Sequence, residues 1–239
     1  MTLRIAFDLD GTLADMESEL VLQANGLFGQ TKSTPEAAAD GDSDQAVAEA
    51  ANENASALIK LDLTPRQQRR LWKHIESIEN FWLTLDELEP GVIRRLATLA
   101  AERHWEIIFL TKRPQTVGAT AQVQTQRWLE SKGFKLPSVF VVQRSRGRIA
   151  DALGLDIVVD DRPENCLDVT VDSKARAILV WREDEKDLPA ATRKLGIGVV
   201  KSVSECLDIL VKIDTPAAES SGMMDRVKRL LGLKNAASL

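Results

Sequence analysis

Five short apolar runs recur along the chain from residue 107 onward, roughly 15 to 30 residues apart, which is the spacing of strands joined by helices. They lie at residues 107–110, 139–142, 157–159, 177–181 and 197–200. Runs that are apolar on both faces are typical of strands covered by helices on both sides. The pattern therefore predicts an α/β fold built on a doubly wound parallel sheet.

The N-terminal part of the chain predicts a further strand and the first helix. Residues 3–7 alternate in polarity and run into an acidic, glycine-containing turn at residues 8–12. An apolar stripe at helical spacing follows, and Gly29 is its expected C-cap. The residues of this stripe are Met16, Leu20, Ala24 and Leu27.

Two more helices are predicted from their start signals. Thr64 is a good N-cap, Pro65 suits the first helical position, and Gln67 completes a capping box. Pro90 and Gly91 open the second of these helices. The apolar stripe of the first comprises Leu71, Ile75, Ile78 and Trp82, and that of the second comprises Ile93, Leu96, Ala97 and Ala100.

Composition divides the chain into a core and its additions. Residues 33–57 hold six acids and no lysine or arginine, so without them the formal net charge changes from −5 to +1. This alanine-rich segment is predicted to be a flexible insertion. We expect a catalytic core at 1–14 and 90–213, a helical cap at 15–89, and a linker with a short amphipathic helix at 214–239.

Several classes of protein do not fit this sequence. It lacks the roughly 18 consecutive apolar residues of a membrane-spanning helix, and we expect no signal peptide because Arg4 and Asp8 interrupt its start. The two cysteines, Cys166 and Cys206, are typical of a reduced, cytoplasmic compartment. Without a strongly basic face, general nucleic-acid binding is not expected. The sequence does not reveal the oligomeric state.

Four groups that can carry chemistry follow predicted strands directly. Asp8 and Asp10 follow the first strand, Thr111 follows the second, and Asp160 and Asp161 follow the fourth. The third strand is followed by the basic residues Arg144, Arg146 and Arg148. Since an open α/β sheet binds ligands at the carboxyl ends of its strands, we expect these groups to converge on one crevice.

The residue types in this group indicate phosphoryl transfer. Four carboxylates in one crevice repel one another unless a divalent cation lies between them. An all-oxygen ligand set suits Mg²⁺, which also shares the phosphate of a substrate. A carboxylate nucleophile, with a hydroxyl and a guanidinium to hold the phosphoryl oxygens, completes the chemistry.

These motifs, in this order, resemble those of the haloacid dehalogenase (HAD) superfamily. They are Asp-Leu-Asp-Gly-Thr-Leu at 8–13, the strand-terminal Thr111, a basic residue, and Asp-Asp at 160–161. The resemblance covers about residues 1–14 and 90–213, and it implies a Rossmann-like core with a small helical cap after strand 1. Four features resemble the 5′(3′)-deoxyribonucleotidase group in particular: the small helical cap, Pro90-Gly91 before a helix, Gln-Arg-Trp-Leu at 126–129 and Asp-Asp-Arg-Pro-Glu-Asn at 160–165.

The resemblance implies a role for each acidic residue. Asp8 would attack phosphorus and carry an aspartyl-phosphate. Asp10 would protonate the leaving oxygen, activate the hydrolytic water and offer its backbone carbonyl to Mg²⁺. Thr111 would hold a phosphoryl oxygen. Asp160 would bind Mg²⁺ together with Asp8, and Asp161 would be a further ligand.

The basic residue departs from the superfamily pattern, which usually has lysine at this position. Arg146 is the best match and is expected to clamp the phosphate, while Arg144 and Arg148 remain alternatives. Arginine can hold phosphate through two nitrogens but differs from lysine in size and reach. An enzyme with reduced activity is therefore one interpretation of this departure.

Substrate contacts are expected from both core and cap. The backbone at Leu9 and Lys112 would donate to the phosphate, and Arg113 is a further candidate in the same loop. For Trp72 and Trp82 two readings stand: they pack the cap, or they stack on a nucleobase.

The sequence thus predicts a Mg²⁺-dependent phosphomonoesterase acting on a small phosphorylated metabolite, with a 5′-deoxynucleoside monophosphate as one candidate. A phosphotransferase or phosphomutase, in which a substrate hydroxyl replaces water, is an alternative. A weakly active HAD-like interaction module is the other.

Overall fold

The computed structural model describes residues 2–29 and 63–214 of the chain. Its six strands form one parallel sheet in the order β3-β2-β1-β4-β5-β6. The strands are β1 (Arg4–Asp8), β2 (Glu106–Thr111), β3 (Ser138–Val141), β4 (Ile157–Asp160), β5 (Arg176–Val180) and β6 (Gly198–Val200). The predicted doubly wound α/β fold is confirmed.

Eight α-helices and two short 3₁₀ helices connect these strands within the described residues. The α-helices are α1 (Met16–Phe28), α2 (Pro65–Ser77), α3 (Val92–Arg103), α4 (Ala121–Ser131), α5 (Arg146–Ala152), α6 (Pro163–Asp172), α7 (Ala190–Lys194) and α8 (Val203–Asp214). The 3₁₀ helices are Phe81–Leu83 and Glu185–Asp187. None of these helices has the length and apolar character needed to span a bilayer.

The path of the chain leaves a crevice at the carboxyl end of β1. From β1 the chain moves outward to β2 and β3, then returns to place β4 on the other side of β1. In this register Phe7 of β1 pairs with Phe109 of β2 and Val159 of β4. The connections on the two sides of β1 diverge, and the loops after these three strands therefore border the crevice.

The core lies on both faces of the sheet. Alternation along β1 places Ile5 and Phe7 in one apolar layer and Ala6 in the other. All three are fully buried. Helices cover both layers, which explains why the strands were recognisable as continuous apolar runs.

The helix start signals behave as predicted, but α2 ends earlier than its predicted apolar stripe. The Thr64 hydroxyl accepts from the backbone N–H of Gln67, and the Gln67 side chain accepts from that of Thr64. Two residues of the predicted α2 stripe, Ile78 and Trp82, lie outside the helix, because it ends at Ser77 and Ile78 is its C-cap. Asn80 has a left-handed φ of 52°, and Trp82 lies in the 3₁₀ helix that follows it.

Two short antiparallel segments, residues 13–15 and 86–88, join the predicted cap to the core. The backbone N–H of Asp15 donates to the carbonyl of Asp86 at 2.9 Å, and that of Leu88 donates to Leu13 at 2.9 Å. Within the described residues the cap segment contains α1, α2 and one 3₁₀ helix. The predicted insertion at 33–57 and tail helix at 214–239 lie outside the described residues, except for Asp214, the last residue of α8.

Candidate active site

Three adjacent strand ends bring the main site residues together. Asp8 is the last residue of β1, Thr111 the last of β2 and Asp160 the last of β4. Because β1 lies between the other two strands, these side chains meet at one edge of the sheet. All three are at least nine-tenths buried. The predicted convergence of the motifs is therefore a property of the strand order.

Three carboxylates form a tight cluster at this edge. Oxygen atoms of Asp8, Asp160 and Asp161 all lie within 4.8 Å of one another. Burial, followed by the Asp160 carboxylate, raises the pKa of Asp8 well above its ordinary range and raises the pKa of Asp161 to about 7. Burial likewise raises the pKa of Asp160. The protein thus buries three acids where their negative charge is disfavoured. A cation bound between them would stabilise that charge.

Arg146 provides the positive charge opposite this cluster. Its Nη2 donates to Asp8 Oδ1 at 2.5 Å, and its Nε lies 3.7 Å from Asp160 Oδ2. Arg146 is buried, whereas Arg144 and Arg148 are exposed. Of the three arginines left open by the sequence, the structure brings Arg146 into the site.

Close packing between α5 and α6 gives Arg146 this position. A Cβ on Gly147 would lie 2.1 Å from the backbone oxygen of Asp168 and 2.6 Å from Cβ of Asp172. Only a residue without a side chain allows the two helices to approach so closely. Since Arg146 is the first residue of α5, this approach fixes where its backbone lies.

Asp10 lies beside the cluster but turns its carboxylate toward β2. The Thr111 hydroxyl donates to Asp10 Oδ2 at 3.0 Å, and Arg113 donates to both carboxylate oxygens at 2.7 to 3.0 Å. The side chain of Asp10 does not belong to the three-acid cluster. A metal contact of Asp10 through its backbone carbonyl stays a prediction.

Three of the side chains predicted as substrate contacts are buried in the structure. Arg113 is 2% exposed, and its donors face Asp10 and Thr125. Trp72 and Trp82 are 2% and 0% exposed, which favours the interpretation that they pack the cap over stacking on a nucleobase. The side chain of Leu9 is also buried, which leaves its backbone for contact, while Lys112 is half-buried at the rim.

Sequence reasoning missed the residues that hold Asp160 and Asp161. The Asn165 side-chain amide donates to both oxygens of Asp160 at 3.1 and 3.0 Å, and the backbone N–H of Arg162 donates at 2.9 Å. Asp161 accepts from the Thr12 hydroxyl at 3.2 Å. The position of Asn165, four residues after Asp161 and in the first turn of α6, was the signal that could have identified it.

Arg182 and Glu89 are two further residues beside the site that no sequence pattern indicated. Arg182 donates to the backbone carbonyls of Gly11 and Thr12 and to the Glu89 carboxylate. Burial alone would raise the pKa of Glu89, but hydrogen bonds from Ser204, Val203 and Arg182 outweigh it and lower that pKa. Arg182 therefore ties the turn after β1 to the start of α8.

A crevice of about 480 Å³ opens beside the carboxylate cluster. It reaches from Gly11 and Asp161 to the first turn of α1 and the loop after β5. Its polar lining is mainly acidic: Asp15, Glu17, Ser18, Arg182 and Glu183, with Trp181 on the apolar side. This volume lies within the usual range of small-molecule sites, about 300 to 1,000 Å³.

Comparison with known proteins identifies a family and a fold. The family model "5' nucleotidase, deoxy (Pyrimidine), cytosolic type C protein" matches residues 2–188. No curated protein matches the chain.

Solved structures share the fold at low sequence identity. A HAD family hydrolase from Deinococcus radiodurans R1, with bound phosphate and sodium, is 15% identical with a TM-score of 0.54, over 88% of this chain and 96% of that one. A putative beta-phosphoglucomutase from Thermotoga maritima is 15% identical with a TM-score of 0.54, over 89% and 100%. A predicted phosphoglycolate phosphatase from Haemophilus somnus 129pt is 17% identical with a TM-score of 0.52, over 87% and 98%.

Proposed function

The chain belongs to the 5′ nucleotidase, deoxy (pyrimidine), cytosolic type C family and is a phosphatase of the HAD superfamily; from this premise we propose that it is a Mg²⁺-dependent phosphomonoesterase working through an aspartyl-phosphate. Its proposed substrate is a small phosphorylated metabolite, first of all a 5′-deoxynucleoside monophosphate. The family name and the two buried free thiols, Cys166 and Cys206, support placing this activity in the cytoplasm.

One observation carries this proposal. Three buried carboxylates, from Asp8, Asp160 and Asp161, lie together at the sheet edge opposite Arg146. A structural role does not explain them, because burial and mutual repulsion disfavour the charge of each acid. Strongly perturbed acids in a crevice are typical of functional sites.

The donor set of this cluster fits Mg²⁺. Asp8, Asp160 and Asp161 offer only carboxylate oxygens, which hard divalent cations prefer. When bound, Mg²⁺ would neutralise charge and orient the phosphate. Asn165 would hold the Asp160 carboxylate in place for it, since a ligand's hydrogen-bond partners fix its orientation.

The protein's own residues would divide the reaction into two steps. An oxygen of ionised Asp8 attacks phosphorus, the bond from phosphorus to the leaving oxygen breaks, and Asp10, which enters this step protonated, gives that oxygen its proton and becomes a carboxylate. Water then attacks the phosphoryl group, returns a proton to Asp10, and the Asp8–phosphorus bond breaks. Arg146 is placed to balance charge beside Asp8 in both steps.

The crevice supports a preference for monophosphates. Its lining residues include the acids Asp15, Glu17 and Glu183 and one base, Arg182, which is already paired with Glu89. A leaving group carrying a second phosphate would meet these carboxylates, whereas a neutral nucleoside or sugar would not. We therefore expect diphosphates to be poorer substrates than the corresponding monophosphates.

The first experiment tests the reaction type. Hydrolysis of p-nitrophenyl phosphate is measured with Mg²⁺ and with EDTA for the wild-type protein, Asp8→Asn and the exposed control Asp151→Asn. We expect turnover that needs Mg²⁺, disappears in Asp8→Asn and persists in Asp151→Asn. Turnover that is absent with Mg²⁺, or unaffected by Asp8→Asn, would refute the proposal and leave the interaction-module reading.

The second experiment tests the substrate. Phosphate release is compared for deoxynucleoside monophosphates, ribonucleoside monophosphates, sugar phosphates and nucleoside diphosphates at equal Mg²⁺. We expect the deoxynucleoside monophosphates to give the highest kcat/KM. If sugar phosphates rank equal or higher, the nucleotidase assignment fails. Transfer of phosphate to an added sugar or nucleoside faster than to water would instead favour the phosphotransferase alternative.

A further inference from the structure

We propose that Arg113 is the positioning residue that fixes the carboxylate of Asp10 for proton transfer to the leaving oxygen, and that a pair of tryptophans holds Arg113 in turn. This inference rests on the proposed phosphatase function. It gives a functional role to a buried guanidinium. Burying a charged group costs desolvation free energy and is tolerated where the group is paired.

The contact between Arg113 and Asp10 restricts the carboxylate in two ways. Nε of Arg113 lies 3.0 Å from both carboxylate oxygens, and Nη2 lies 2.7 Å from Oδ1. The Thr111 hydroxyl adds a third donor at 3.0 Å from Oδ2. A carboxylate held from two directions cannot rotate about its side-chain bonds without losing these charge-assisted hydrogen bonds.

Arg113 is itself locked in place. Its guanidinium carbon lies 4.9 Å from the ring centroid of Trp82 and 5.8 Å from that of Trp128, a distance typical of cation–π contacts. Its Nη1 donates to the Thr125 hydroxyl at 2.9 Å. The Arg113 side chain is 0% exposed. It therefore acts on the substrate through Asp10 and not by direct contact.

The two rings are fixed by bonds of their own. Nε1 of Trp82 donates to the carbonyl of Pro114 at 3.0 Å, and Nε1 of Trp128 donates to that of Leu85 at 2.7 Å. Trp82 comes from the segment between α2 and α3, and Trp128 from α4. Elements distant in sequence thus determine where the Asp10 carboxylate lies, as preorganisation of a proton donor requires.

The test compares phenyl phosphate with p-nitrophenyl phosphate, which differ little in size but strongly in their need for protonation of the leaving oxygen. The measured quantity is kcat/KM, which reports on the steps up to departure of that oxygen. In Arg113→Ala we expect kcat/KM to fall about 100-fold for phenyl phosphate and about 10-fold or less for p-nitrophenyl phosphate. Arg113→Lys should give an intermediate difference, and the exposed control Arg148→Ala none.

Two further variants keep the proposal testable if Arg113→Ala does not fold. Thr125→Val removes the hydroxyl that accepts from Nη1 and donates to the carbonyl of Ala121, and it should shift the ratio between the two substrates in the same direction. In an Asp10→Asn background, Arg113→Lys should leave that ratio unchanged. Equal losses on both substrates, or an undiminished effect of Arg113→Lys without Asp10, would overturn the positioning role.

Failure of the phosphatase function itself is recognised separately. In that case the wild-type protein shows no Mg²⁺-dependent turnover of either substrate. Crystal structures of the wild-type protein and Arg113→Lys then decide the positioning role. The proposal expects the Asp10 carboxylate to leave Thr111 in the variant, and an unchanged Asp10 rotamer contradicts it.

Discussion

Nη2 of Arg146 lies 2.5 Å from Oδ1 of Asp8, although the two residues are 138 positions apart in the sequence. Burial and the Asp160 carboxylate raise the pKa of Asp8, and the guanidinium of Arg146 opposes them by lowering it. Asp8 is the proposed nucleophile and must be ionised to attack, so Arg146 supports the active form of this residue. The first prediction follows from this contact.

Removal of Arg146 should impair catalysis far more than removal of its neighbours. In Arg146→Ala we expect kcat/KM to fall about 10²-fold or more, as for other lost charge-stabilising groups. Arg146→Lys should recover only part of this loss. Lysine keeps the positive charge, but one ammonium cannot face both Asp8 and Asp160 as a guanidinium does. Steady-state kinetics of Arg144→Ala and Arg148→Ala, both exposed, provide the controls; a comparable loss in either would contradict the assignment.

A methyl group at position 147 should disrupt the site from outside it. In Gly147→Ala the new Cβ would lie 2.1 Å from the Asp168 carbonyl, so α5 must move and carry Arg146 with it. We expect a loss of about 1 to 3 kcal/mol in the free energy of unfolding, together with lower kcat. Urea unfolding and kinetics measure the two effects.

Gly26→Ala is the matched control for that substitution. A Cβ at this position in α1 meets no atom of the described chain within 4 Å. Alanine there should stabilise the protein by about 0.4 to 1 kcal/mol and leave kcat unchanged. Equal effects of the two substitutions would mean that the α5–α6 packing does not position Arg146.

Loss of the Asn165 amide should weaken the response to Mg²⁺. In Asn165→Ala, Asp160 loses donors to both of its oxygens, so the concentration of Mg²⁺ for half-maximal activity should rise about 10-fold or more. At saturating Mg²⁺ we expect kcat within a few-fold of the wild-type value. Titration of Glu164→Ala, the exposed neighbour on α6, should match the wild type. An unchanged requirement in Asn165→Ala would exclude this role.

The acidic cluster should make the metal-free protein less stable as the pH rises. The pKa of Asp161 is raised in the folded protein from 3.8 to about 7, so the folded state binds the proton more tightly than the unfolded state. This contribution is present in full below pH 4 and is lost as the pH rises through about 7. At about 1.4 kcal/mol per pKa unit, the difference is on the order of a few kcal/mol.

This effect is measured as the free energy of unfolding in EDTA between pH 4 and pH 8, for the wild-type protein and for Asp161→Asn. The contributions of the other titrating groups largely cancel in the difference between the two proteins. The wild-type protein should lose stability relative to the variant as the pH rises. Added Mg²⁺ should reverse the trend, because a ligand of the folded state stabilises it. A difference that stays constant with pH would show that Asp161 is not perturbed in this way.

Much of the fold could be predicted because its signals are local. Strands buried on both faces leave continuous apolar runs, and β2 and β4 lie within a residue of the predicted runs. The capping box at Thr64 likewise needs only neighbouring residues. The order of Asp8, Thr111 and Asp160 along the chain also predicted their meeting, because each ends a strand of one parallel sheet.

The sequence by itself determined the fold class, the strand ends that carry the acids and the kind of chemistry they suit. Only the tertiary structure selected Arg146 from three arginines, turned Arg113 toward Asp10 and buried Trp72 and Trp82. The physical reason is that a side chain's surroundings depend on which elements pack against it. Packing of α5 on α6, and of α4 beside the 3₁₀ helix at Phe81–Leu83, joins residues that no local pattern connects.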